Sequence, residues 1–387
     1  MKLVHLADLH IGKTVNEFSM IEDQKYILDQ ILKHIHEMKA DGVLLAGDIY
    51  DRAIPTGEAV ELLDGFLTRL EEAGIFVCLV TGNHDSPERV GFADRILMKR
   101  GIYIETFPQK VLKKVEFQDE FGPLNIYMLP FAKPALVRHM FQDEDVKTYE
   151  DSVRRIIKTA DVDKEQRNIL VTHHFITARG VTSVESESEN MISVGGTDRV
   201  DASCFDIFDY TALGHLHGPQ SVGRETVRYS GSPLKYSFSE VFQEKSMTVL
   251  DFQEKGKISI ETIPLKPRFD LRKIKGKLRD LIQPDVVNEG NPKDYLMVTL
   301  TDTETLIDPI YTLRNVYPNV MQLVFEKNII SGANTLNRIQ GIKNKPVTEL
   351  FETFYEEVVG EPMDSRREDI ARSVIEEVLS GGGTCGQ

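Results

Sequence analysis

Short apolar runs that end in potential metal ligands recur at five places along this chain. The ligand-bearing segments are Asp8-Leu9-His10, Gly47-Asp48, Gly82-Asn83-His84-Asp85, His173-His174 and Gly214-His215-Leu216-His217. An apolar run followed by polar residues is typical of a buried strand that ends in a loop, where sites on α/β sheets lie. A site for two cations needs a bridging carboxylate and several carboxylate or imidazole ligands. The order and completeness of the five segments predict an α/β fold with a two-metal site of the kind that hydrolyses phosphate esters.

The length and composition limit the class of protein. The chain has 387 residues, which suits one large domain with one or two small ones, and its hydrophobic content of 41% argues against general disorder. Its apolar stretches are too short to span a bilayer, and no signal peptide is visible, so we predict no membrane association. Cys78, Cys204 and Cys385 show no metal-ligand spacing. Two of these cysteines lie in apolar contexts, which predicts reduced thiols and therefore a cytoplasmic protein.

The net charge is −15, which argues against a protein that coats nucleic acid over its whole surface. One local basic segment nevertheless stands out. Its members are Lys266, Arg268, Arg272, Lys273, Lys275, Lys277 and Arg279. This segment is either a local contact for DNA or a solvated face of an element, and the sequence leaves both interpretations open.

Buried strands alternate with amphipathic helices from Met1 to about Asp251. The predicted helices are Met20–Lys39 and Ala59–Ala73, and the predicted strands are Leu3–Ala7, Gly42–Ala46, Ile75–Val80, Asn125–Leu129, Ile169–Thr172, Thr211–Leu213, Val227–Tyr229 and Met247–Phe252. The early alternation predicts a partly parallel sheet with helices outside. The change after Gly122 to strands that follow one another predicts a second sheet stacked on the first.

Pro264 and Pro267 mark a boundary, after which strands and helices alternate again. The predicted elements are Arg268–Leu271 (strand), Gly276–Leu281 (helix), Asp294–Thr301 (strand), Pro309–Val316 (helix), Asn319–Phe325 (strand), and the amphipathic helices Val347–Val359 and Asp364–Leu379. The last two helices either fold back on the accessory domain or dock on a partner chain. We therefore predict domains at 1–265, 266–342 and 343–387.

The residue types predict distinct roles within the site. Asp8 and His10 alternate along an extended chain, so that both side chains would point the same way. Asp48 lies where a carboxylate can bridge two cations. Asn83 offers a neutral amide oxygen to one cation, and His84 would face the substrate phosphate.

Three other residues leave alternatives open. Asp51 would either orient a histidine or cap the helix that follows it. Adjacent residues of a strand point to opposite faces, so only one of His173 and His174 would be a ligand, and the preceding apolar run favours His173. In His215-Leu216-His217 the i, i+2 spacing would aim both imidazoles at one place.

Taken together, these segments resemble the calcineurin-like metallophosphoesterase superfamily, and within it the SbcD family of bacterial double-strand-break nuclease subunits. The matching stretches are 5–13, 46–51, 82–86, 208–217 and 229–234. The resemblance covers the whole first predicted domain, and the remaining regions have the expected sizes. Leu9 stands where many relatives carry Trp, from which we expect a difference in packing only. The resemblance implies a four-layer α/β/β/α sandwich with a small α/β capping domain, which would recognise DNA, and C-terminal helices.

The resemblance also implies a metal assignment. One ion would be held by Asp8, His10, Asp48 and His217, and the other by Asp48, Asn83, His173 and His215. Two divalent ions are expected, with Mn²⁺ preferred, and His84 would act on the scissile phosphate.

The implied activity is that of an Mn²⁺-dependent DNA nuclease in break repair and recombination. It would act as an ATP-dependent double-strand exonuclease and as a single-strand and hairpin endonuclease. Its partner would be an SbcC-type ATPase, bound through the C-terminal helices, with the chain as a homodimer in a heterotetramer at the cytoplasmic nucleoid.

Two other functions use the same residues. A phosphoprotein phosphatase or small-molecule phosphodiesterase could share the scaffold, because fold does not fix substrate. Ala53 stands where those phosphatases usually have glycine, and small substrates leave the basic segment and the tail helices unexplained. An inactive binding subunit is the second alternative, and the complete ligand set argues against it.

Overall fold

The structure is a computed structural model that describes residues 1–178, 186, 189, 198–326, 348, 351–352, 355 and 362–381. Its strands are β1 (Lys2–Leu6), β2 (Thr14–Val15), β3 (Phe18–Ser19), β4 (Gly42–Ala46), β5 (Phe76–Val80), β6 (Ile102–Glu105), β7 (Lys113–Asp119), β8 (Gly122–Leu129), β9 (Arg167–His173), β10 (Phe175–Thr177), β11 (Arg199–Asp201), β12 (Tyr210–Gly214), β13 (Gln220–Val222), β14 (Arg224–Tyr229), β15 (Ser246–Phe252), β16 (Ile258–Pro264), β17 (Leu271–Gly276), β18 (Tyr295–Leu300) and β19 (Val320–Phe325). Its α-helices are α1 (Ile21–Met38), α2 (Gly57–Glu72), α3 (Pro87–Val90), α4 (Asp94–Leu97), α5 (Pro134–Phe141), α6 (Tyr149–Ile157), α7 (Leu278–Leu281), α8 (Pro284–Val287), α9 (Pro309–Arg314) and α10 (Ser365–Gly381).

The described residues form two sheets of six strands each. The first sheet has the order β16-β15-β1-β4-β5-β6, and the second has the order β13-β14-β12-β9-β8-β7. Strands β1, β4, β5 and β6 are parallel in the first sheet, and β8, β9, β12 and β14 are parallel in the second. All five residues of β4 are buried, as expected of a central strand covered on both faces.

Three buried clusters define the layers. In one, Ile31 of α1 and Phe66 of α2 pack on the outer face of the first sheet. In the second, Leu44 from the first sheet and Ile169 from the second belong to one cluster between the sheets. In the third, Val153 of α6 packs on the outer face of the second sheet. This arrangement confirms the predicted four-layer α/β/β/α sandwich.

Two helices of the outer layer are absent from the predicted elements, because the pattern after Gly122 predicts strands that follow one another. Strands β8 and β9 are parallel neighbours, so their connection must cross over, and α5 and α6 supply that crossover. A local signal for α6 is present in the sequence. The hydroxyl of Thr148 accepts from the Asp151 N–H and the Asp151 carboxylate accepts from the Thr148 N–H, which is a capping box.

The accessory region forms a three-stranded sheet in the order β17-β18-β19. The predicted strand at Arg268–Leu271 and helix at Gly276–Leu281 are wrong in their bounds. Strand β17 begins only at Leu271 and runs to Gly276, where residues alternate between more and less buried positions, and α7 is a single turn. Helix α10 matches the prediction at Asp364–Leu379, whereas most of the predicted helix Val347–Val359 lies outside the described residues.

The chain divides into two compact units. One comprises Met1–Ile274, Ile282–Val298 and Ile310–Gln322, and the other comprises Lys275–Leu281, Thr299–Pro309 and Leu323–Gln387. The division into domains at 1–265, 266–342 and 343–387 stays a prediction. Among the described residues, no helix combines the length and the apolar character needed to cross a lipid bilayer.

Candidate metal centre

The seven predicted metal ligands lie at the carboxyl ends of parallel strands. In the first sheet, Asp8 and His10 follow β1, Asp48 follows β4, and Asn83 follows β5; in the second, His173 ends β9, and His215 and His217 follow β12. Because the parallel strands of both sheets end on the same side of the molecule, these side chains converge. The sequence prediction that they share one place is therefore matched by the geometry.

Several of these residues have unusual backbone conformations. The φ angles of Asp8, His10, Asp48 and His215 are 53°, 44°, 50° and 112°, in the left-handed region that L-residues rarely adopt. The expectation of an extended Asp8-Leu9-His10 segment is therefore wrong. Strained backbone of this kind costs of order 1–3 kcal/mol for each residue and tends to occur at functional sites.

One half of the centre joins His10 and His217. Their Nε2 atoms lie 3.1 Å apart, and His10 Nε2 lies 3.6 Å from Asp48 Oδ2. Asp8, His10 and His217 each offer a ligand atom within 4.8 Å of the others. These side chains are all buried.

The other half is built around Asn83. Its Oδ1 atom lies 3.0 Å from His173 Nε2 and 3.2 Å from His215 Nδ1. His173 Nε2 also lies 3.4 Å from Asp48 Oδ2, so Asp48 contacts both halves. His215 and His217 thus lie in different halves, and their i, i+2 spacing does not aim both imidazoles at one place.

The electrostatics of these groups show whether cations fit. Burial raises the pKa of Asp8 well above its ordinary value, and the neighbouring Asp48 carboxylate raises it further. Burial would also raise the pKa of Asp48, but His173 outweighs it and the pKa lies well below the ordinary value. Conversely, burial would lower the pKa of His173, while Asp48 raises it to about 9.

Buried anionic charge and facing imidazole nitrogens are therefore concentrated in one place. The Nε2 atoms of His10 and His217 lie 3.1 Å apart. Two unprotonated imidazole nitrogens at this distance repel each other unless a proton or a cation lies between them. Carboxylate, amide and imidazole ligands together suit divalent transition metals. The donor set and its two halves fit two divalent metal ions.

The two adjacent histidines of β9 differ in what their rings contact. His173 Nδ1 donates to the Ala46 carbonyl at 2.8 Å, which leaves Nε2 toward Asn83 and Asp48. Both ring nitrogens of His174 are already engaged, because Nε2 accepts the Ala132 N–H and Nδ1 contacts Thr172 Oγ1. The geometry favours His173 as the ligand.

Two glycines allow the strand ends to approach each other. A Cβ atom at Gly214 would lie 1.8 Å from the Ala46 carbonyl oxygen, and one at Gly82 would lie 2.1 Å from Asp48 Oδ1. Neither distance is physically possible. Glycine is therefore required at positions 82 and 214, because the strand ends pack too closely there for any side chain.

His84 lies beside the candidate metal ligands, and a backbone carbonyl fixes the orientation of its ring. Its Nδ1 donates to the backbone carbonyl of Asp51 at 3.0 Å, and its Nε2 lies 3.9 Å from Asp48 Oδ2. The ring meets that of His10 edge-on at 4.8 Å. His84 is partly exposed, so its Nε2 can meet a substrate at the edge of the centre.

Asp51 contacts a histidine rather than a helix terminus. Its Oδ1 accepts from Lys13 Nζ at 2.7 Å and lies 3.7 Å from His10 Nδ1. Helix α2 is capped by Thr56, whose hydroxyl accepts from the Ala59 N–H. The capping alternative for Asp51 is therefore wrong.

Comparison with known proteins identifies the family. The model of the calcineurin-like phosphoesterases matches residues 1–219. The chain is a calcineurin-like phosphoesterase. A second model, of the type 5 capsule protein repressor C-terminal domain (SbcD_C), matches residues 267–359. The phosphoesterase is also 32% identical over 386 residues to the SbcD subunit of the nuclease SbcCD from Staphylococcus epidermidis, covering 99% of this chain and 100% of that protein. The chain therefore belongs to the SbcD family, which confirms the resemblance.

Solved structures with weaker similarity were also found. The protein TT1561 of Thermus thermophilus shows 12% identity and a TM-score of 0.40, covering 67% of this chain and 98% of that chain. A dimetal phosphatase from Danio rerio shows 11% identity and a TM-score of 0.39, covering 68% and 96%.

Sequence reasoning missed several buried polar residues of the phosphoesterase that hold the ligand loops. The Asp85 carboxylate accepts from the N–H groups of Ile49, Tyr50 and Gly82, and so ties the loop after β4 to the loop after β5. Burial raises its pKa to about 6. The position of Asp85 in the ligand-rich segment Gly82–Asp85 is the feature of the sequence that could have indicated this role.

Gln24 of α1 was also missed. Its Nε2 donates to the carbonyls of Leu9 and His10 at 3.3 and 2.7 Å, and its Oε1 accepts from the Gly12 N–H at 2.8 Å. The side chain thus clamps the turn in which His10 has a positive φ. A lone glutamine on the buried face of a helix carries no sequence signal for such a role.

The carboxylates around His217 were missed as well. Glu240 Oε1 lies 3.2 Å from His217 Nδ1, and Glu189 Oε1 accepts from the His217 N–H at 2.6 Å. Burial raises the pKa of Glu189 to about 7. Burial would raise the pKa of Glu240 too, but His217 and Lys245 hold it well below its ordinary value.

The basic segment is partly neutralised by neighbouring acids. Arg272 Nε lies 2.6 Å from Asp294, Arg279 Nε lies 3.3 Å from Asp280, and Lys275 pairs with Glu326. The net positive charge of the segment is therefore smaller than the sequence count implies.

Proposed function

We propose that this phosphoesterase is the nuclease subunit of an SbcCD-type complex. It would act on DNA as an ATP-dependent double-strand exonuclease and as a single-strand and hairpin endonuclease, in break repair and recombination at the cytoplasmic nucleoid. The observation that carries the proposal is similarity along the whole chain to a subunit of the nuclease SbcCD. The convergence of the candidate ligands at the strand ends supports it.

The metal assignment is part of the proposal. One ion would be held by Asp8, His10, Asp48 and His217, and the other by Asp48, Asn83, His173 and His215, with Mn²⁺ preferred. When bound there, a pair of divalent ions would supply Lewis-acid activation of water and positive charge to offset the negative charge that develops in an in-line displacement.

The side chains of the protein determine where protons move. The Asp51 carbonyl accepts from His84 Nδ1–H, so Nε2 is the nitrogen that faces the scissile phosphate, and it carries a proton to donate when the ring is in its imidazolium form. There His84 protonates the departing sugar oxygen or stabilises its charge. Asp51, paired with Lys13, lies 3.7 Å from His10 Nδ1 and places its carboxylate charge beside the ring.

A partner ATPase is supported by the C-terminal part of the chain. On α10, Ile370 and Val374 are 58% and 52% exposed, and they lie one turn apart on the same face. Apolar residues in this arrangement suit the surface of a partner helix. We propose that α10 binds an SbcC-type ATPase and that the early helices α1 and α2 form a homodimer within a heterotetramer.

The test is cleavage of hairpin DNA by the full chain with Mn²⁺, with and without an SbcC-type ATPase and ATP. We expect cleavage to require Mn²⁺ and the ATP-dependent activity to require the partner. His84→Ala should keep its metal and lose at least ~100-fold in cleavage, the lower range for general acid–base catalysis. Asp48→Ala should lose both metal and cleavage.

Two results would contradict the proposal. Intact DNA together with hydrolysis of a generic phosphodiester would assign the centre to small substrates. Full cleavage by His84→Ala with normal metal content would remove His84 from the mechanism.

A further inference from the structure

The segment between β14 and β15 surrounds His217 with buried polar groups that the proposed mechanism does not use. Glu240, which is fully buried, places Oε1 3.2 Å from His217 Nδ1. Its other oxygen, Oε2, accepts from Lys245 Nζ at 2.6 Å and from the Tyr236 N–H at 3.3 Å. Glu240 therefore lies between a metal ligand and a buried ammonium group.

Lys245 connects the rest of this network. Besides Glu240, its Nζ contacts the His217 carbonyl at 2.9 Å, Ser232 Oγ at 2.9 Å and Gln243 Oε1 at 2.7 Å. One ammonium thus contacts the backbone of His217 and the carboxylate that faces its ring. Burying a charge is unfavourable without a partner, so each of Glu240 and Lys245 makes the burial of the other possible.

The carboxylate has a direct effect on the imidazole. When Nδ1–H donates to Glu240, Nε2 carries no proton and offers its lone pair toward His10, whose Nε2 lies 3.1 Å away. A carboxylate behind a ligating histidine fixes the tautomer and raises the basicity of the other nitrogen.

The other half of the centre lacks this arrangement at the corresponding ring. His173 Nδ1 donates to the neutral backbone carbonyl of Ala46 at 2.8 Å. A carbonyl fixes the tautomer equally well but contributes no full charge. The two halves therefore differ in the group that accepts from Nδ1–H of the imidazole. For His173 this group is a backbone carbonyl, and for His217 it is a side chain, which can be replaced by mutation.

We propose that Glu240, held by Lys245, is a positioning residue that fixes the His217 tautomer and strengthens binding of the cation in that half. The inference rests on the metal-binding role proposed for His217. It assigns a function to the 229–234 segment, because Ser232 and the Ser232 N–H, which donates to the His217 carbonyl at 3.1 Å, belong to the same network.

The test compares two double variants of the full chain, Glu240→Gln/Lys245→Met and Glu240→Leu/Lys245→Met. Both remove the buried charge pair, so neither leaves an unpaired buried charge. They differ in that Gln keeps an oxygen for His217 Nδ1–H and Leu does not. Thermal unfolding in chelator shows whether the two variants fold equally well.

We expect similar unfolding temperatures but different metal binding. Calorimetric titration with Mn²⁺ should show that the Leu variant binds ~10–100-fold more weakly at one of its two sites, the range typical for groups behind a metal ligand. In the metal-free protein, ¹⁵N spectra of the imidazoles should show the Nδ1–H tautomer of His217 in the wild type and the Gln variant, and a mixture in the Leu variant.

Each remaining outcome contradicts a defined claim. Equal Mn²⁺ affinity of the two folded variants would overturn the positioning role while leaving the metal centre intact. If the wild type itself binds no Mn²⁺, the proposed function fails, and the inference fails with it.

Discussion

His173 and His174 are adjacent on a buried strand, yet their side chains contact different environments. His173 reaches the ligands of the first sheet across the space between the sheets. His174 stacks on Phe131 at 5.4 Å between ring centroids and is held by backbone and hydroxyl groups. Substitutions at these two neighbouring positions can therefore be compared, one at a candidate metal ligand and one at a histidine whose ring nitrogens contact other groups.

We predict that His173→Ala loses about one bound metal ion per chain, since one half of the centre loses an imidazole. His174→Gln should keep both ions and lose about 1 kcal/mol of unfolding free energy, because one buried hydrogen bond changes. Metal content after dialysis, with urea unfolding as the control for stability, checks both. Loss of an ion in His174→Gln alone would reverse the assignment.

At the scale of single residues, the sequence identifies candidate metal ligands better than it predicts their backbone conformations. Asp8, Asp48 and His215 could be recognised because each follows an apolar run in a ligand-rich segment. Their positive φ angles could not, because they arise where backbone from one strand end is held by another. The Asp8 N–H, for example, donates to the Gly47 carbonyl. Glu240 and Gln24 lack any local signal, since their roles depend on contacts with residues distant in the chain.

At the scale of elements, the start of α1 connects two regions of the phosphoesterase. Asp23 Oδ2 accepts from the Tyr295 hydroxyl of β18 at 2.7 Å, and the next residue, Gln24, holds the carbonyls of Leu9 and His10. Adjacent residues of one turn thus contact the accessory sheet and a metal-ligand loop. A shift of α1 would move both.

We predict that Gln24→Ala weakens Mn²⁺ binding and lowers the unfolding free energy by about 1–3 kcal/mol. The reason is that buried carbonyls in the Leu9–Gly12 turn lose their donor. Calorimetric titration and urea unfolding measure the two effects. Gln30→Ala, on the same helix but with exposed hydrogen bonds to Lys266, is the control and should change neither. Unchanged Mn²⁺ binding in Gln24→Ala would show that the turn holds its shape without the clamp.

A second element, α10, can be tested by its exposed apolar face. Ile370→Asp combined with Val374→Asp should weaken binding to an SbcC-type ATPase by at least ~10-fold, because charges would replace contacts at the centre of an interface. Arg372→Asp, on the opposite face, is the matched control. Pull-down with the purified partner gives the readout, and Mn²⁺-dependent hairpin cleavage by the chain alone should remain. Equal binding by all variants would place the interface elsewhere.

Element bounds were predictable where periodicity was long and strong. Helix α1 and strand β4 match within one residue because each has an uninterrupted apolar pattern. The bounds of β17 were not predictable, because a run of basic residues gives similar signals in a strand and in a helix. In this segment the hydrogen-bonded pairing of β17 with β18 determines that the chain forms a strand.

At the scale of the whole molecule, Arg167 links the two stacked sheets. This buried side chain at the start of β9 donates to the carbonyls of Phe252 and Gln253 at the end of β15, at 3.0 and 2.9 Å. Its guanidinium also pairs with Asp119 of β7, where Nη1 lies 3.0 Å from Oδ2. The charge of Asp119 therefore contributes to holding the sheets together.

We predict that Asp119→Asn lowers the unfolding free energy by about 1–3 kcal/mol at pH 7, since a buried donor loses its charged partner. Burial would raise the pKa of Asp119, but its hydrogen bond from Arg167 and other donors lower it to about 2. A lowered pKa means that the stabilisation is present above the unfolded-state value near 4 and is lost as the pH falls toward 2. Urea unfolding at pH 7 and at pH 3 should show the difference shrinking.

Glu116→Gln is the control for this experiment, because Glu116 lies on the same strand with an exposed side chain. It should differ little from the wild type at either pH. A difference for Asp119→Asn that stays constant down to pH 3 would mean that the charge of Asp119 is not what stabilises the contact.

The five strand ends that carry the candidate metal ligands also determine when a newly made chain could become active. His10 and His217 are separated by most of the first predicted domain, and β1 obtains its antiparallel neighbour only when β15, at Ser246–Phe252, has been synthesised. A nascent chain that ends before β9 carries only the ligands of the first sheet. By the proposed metal assignment, the centre therefore cannot be completed on the ribosome until nearly all of that domain has been synthesised.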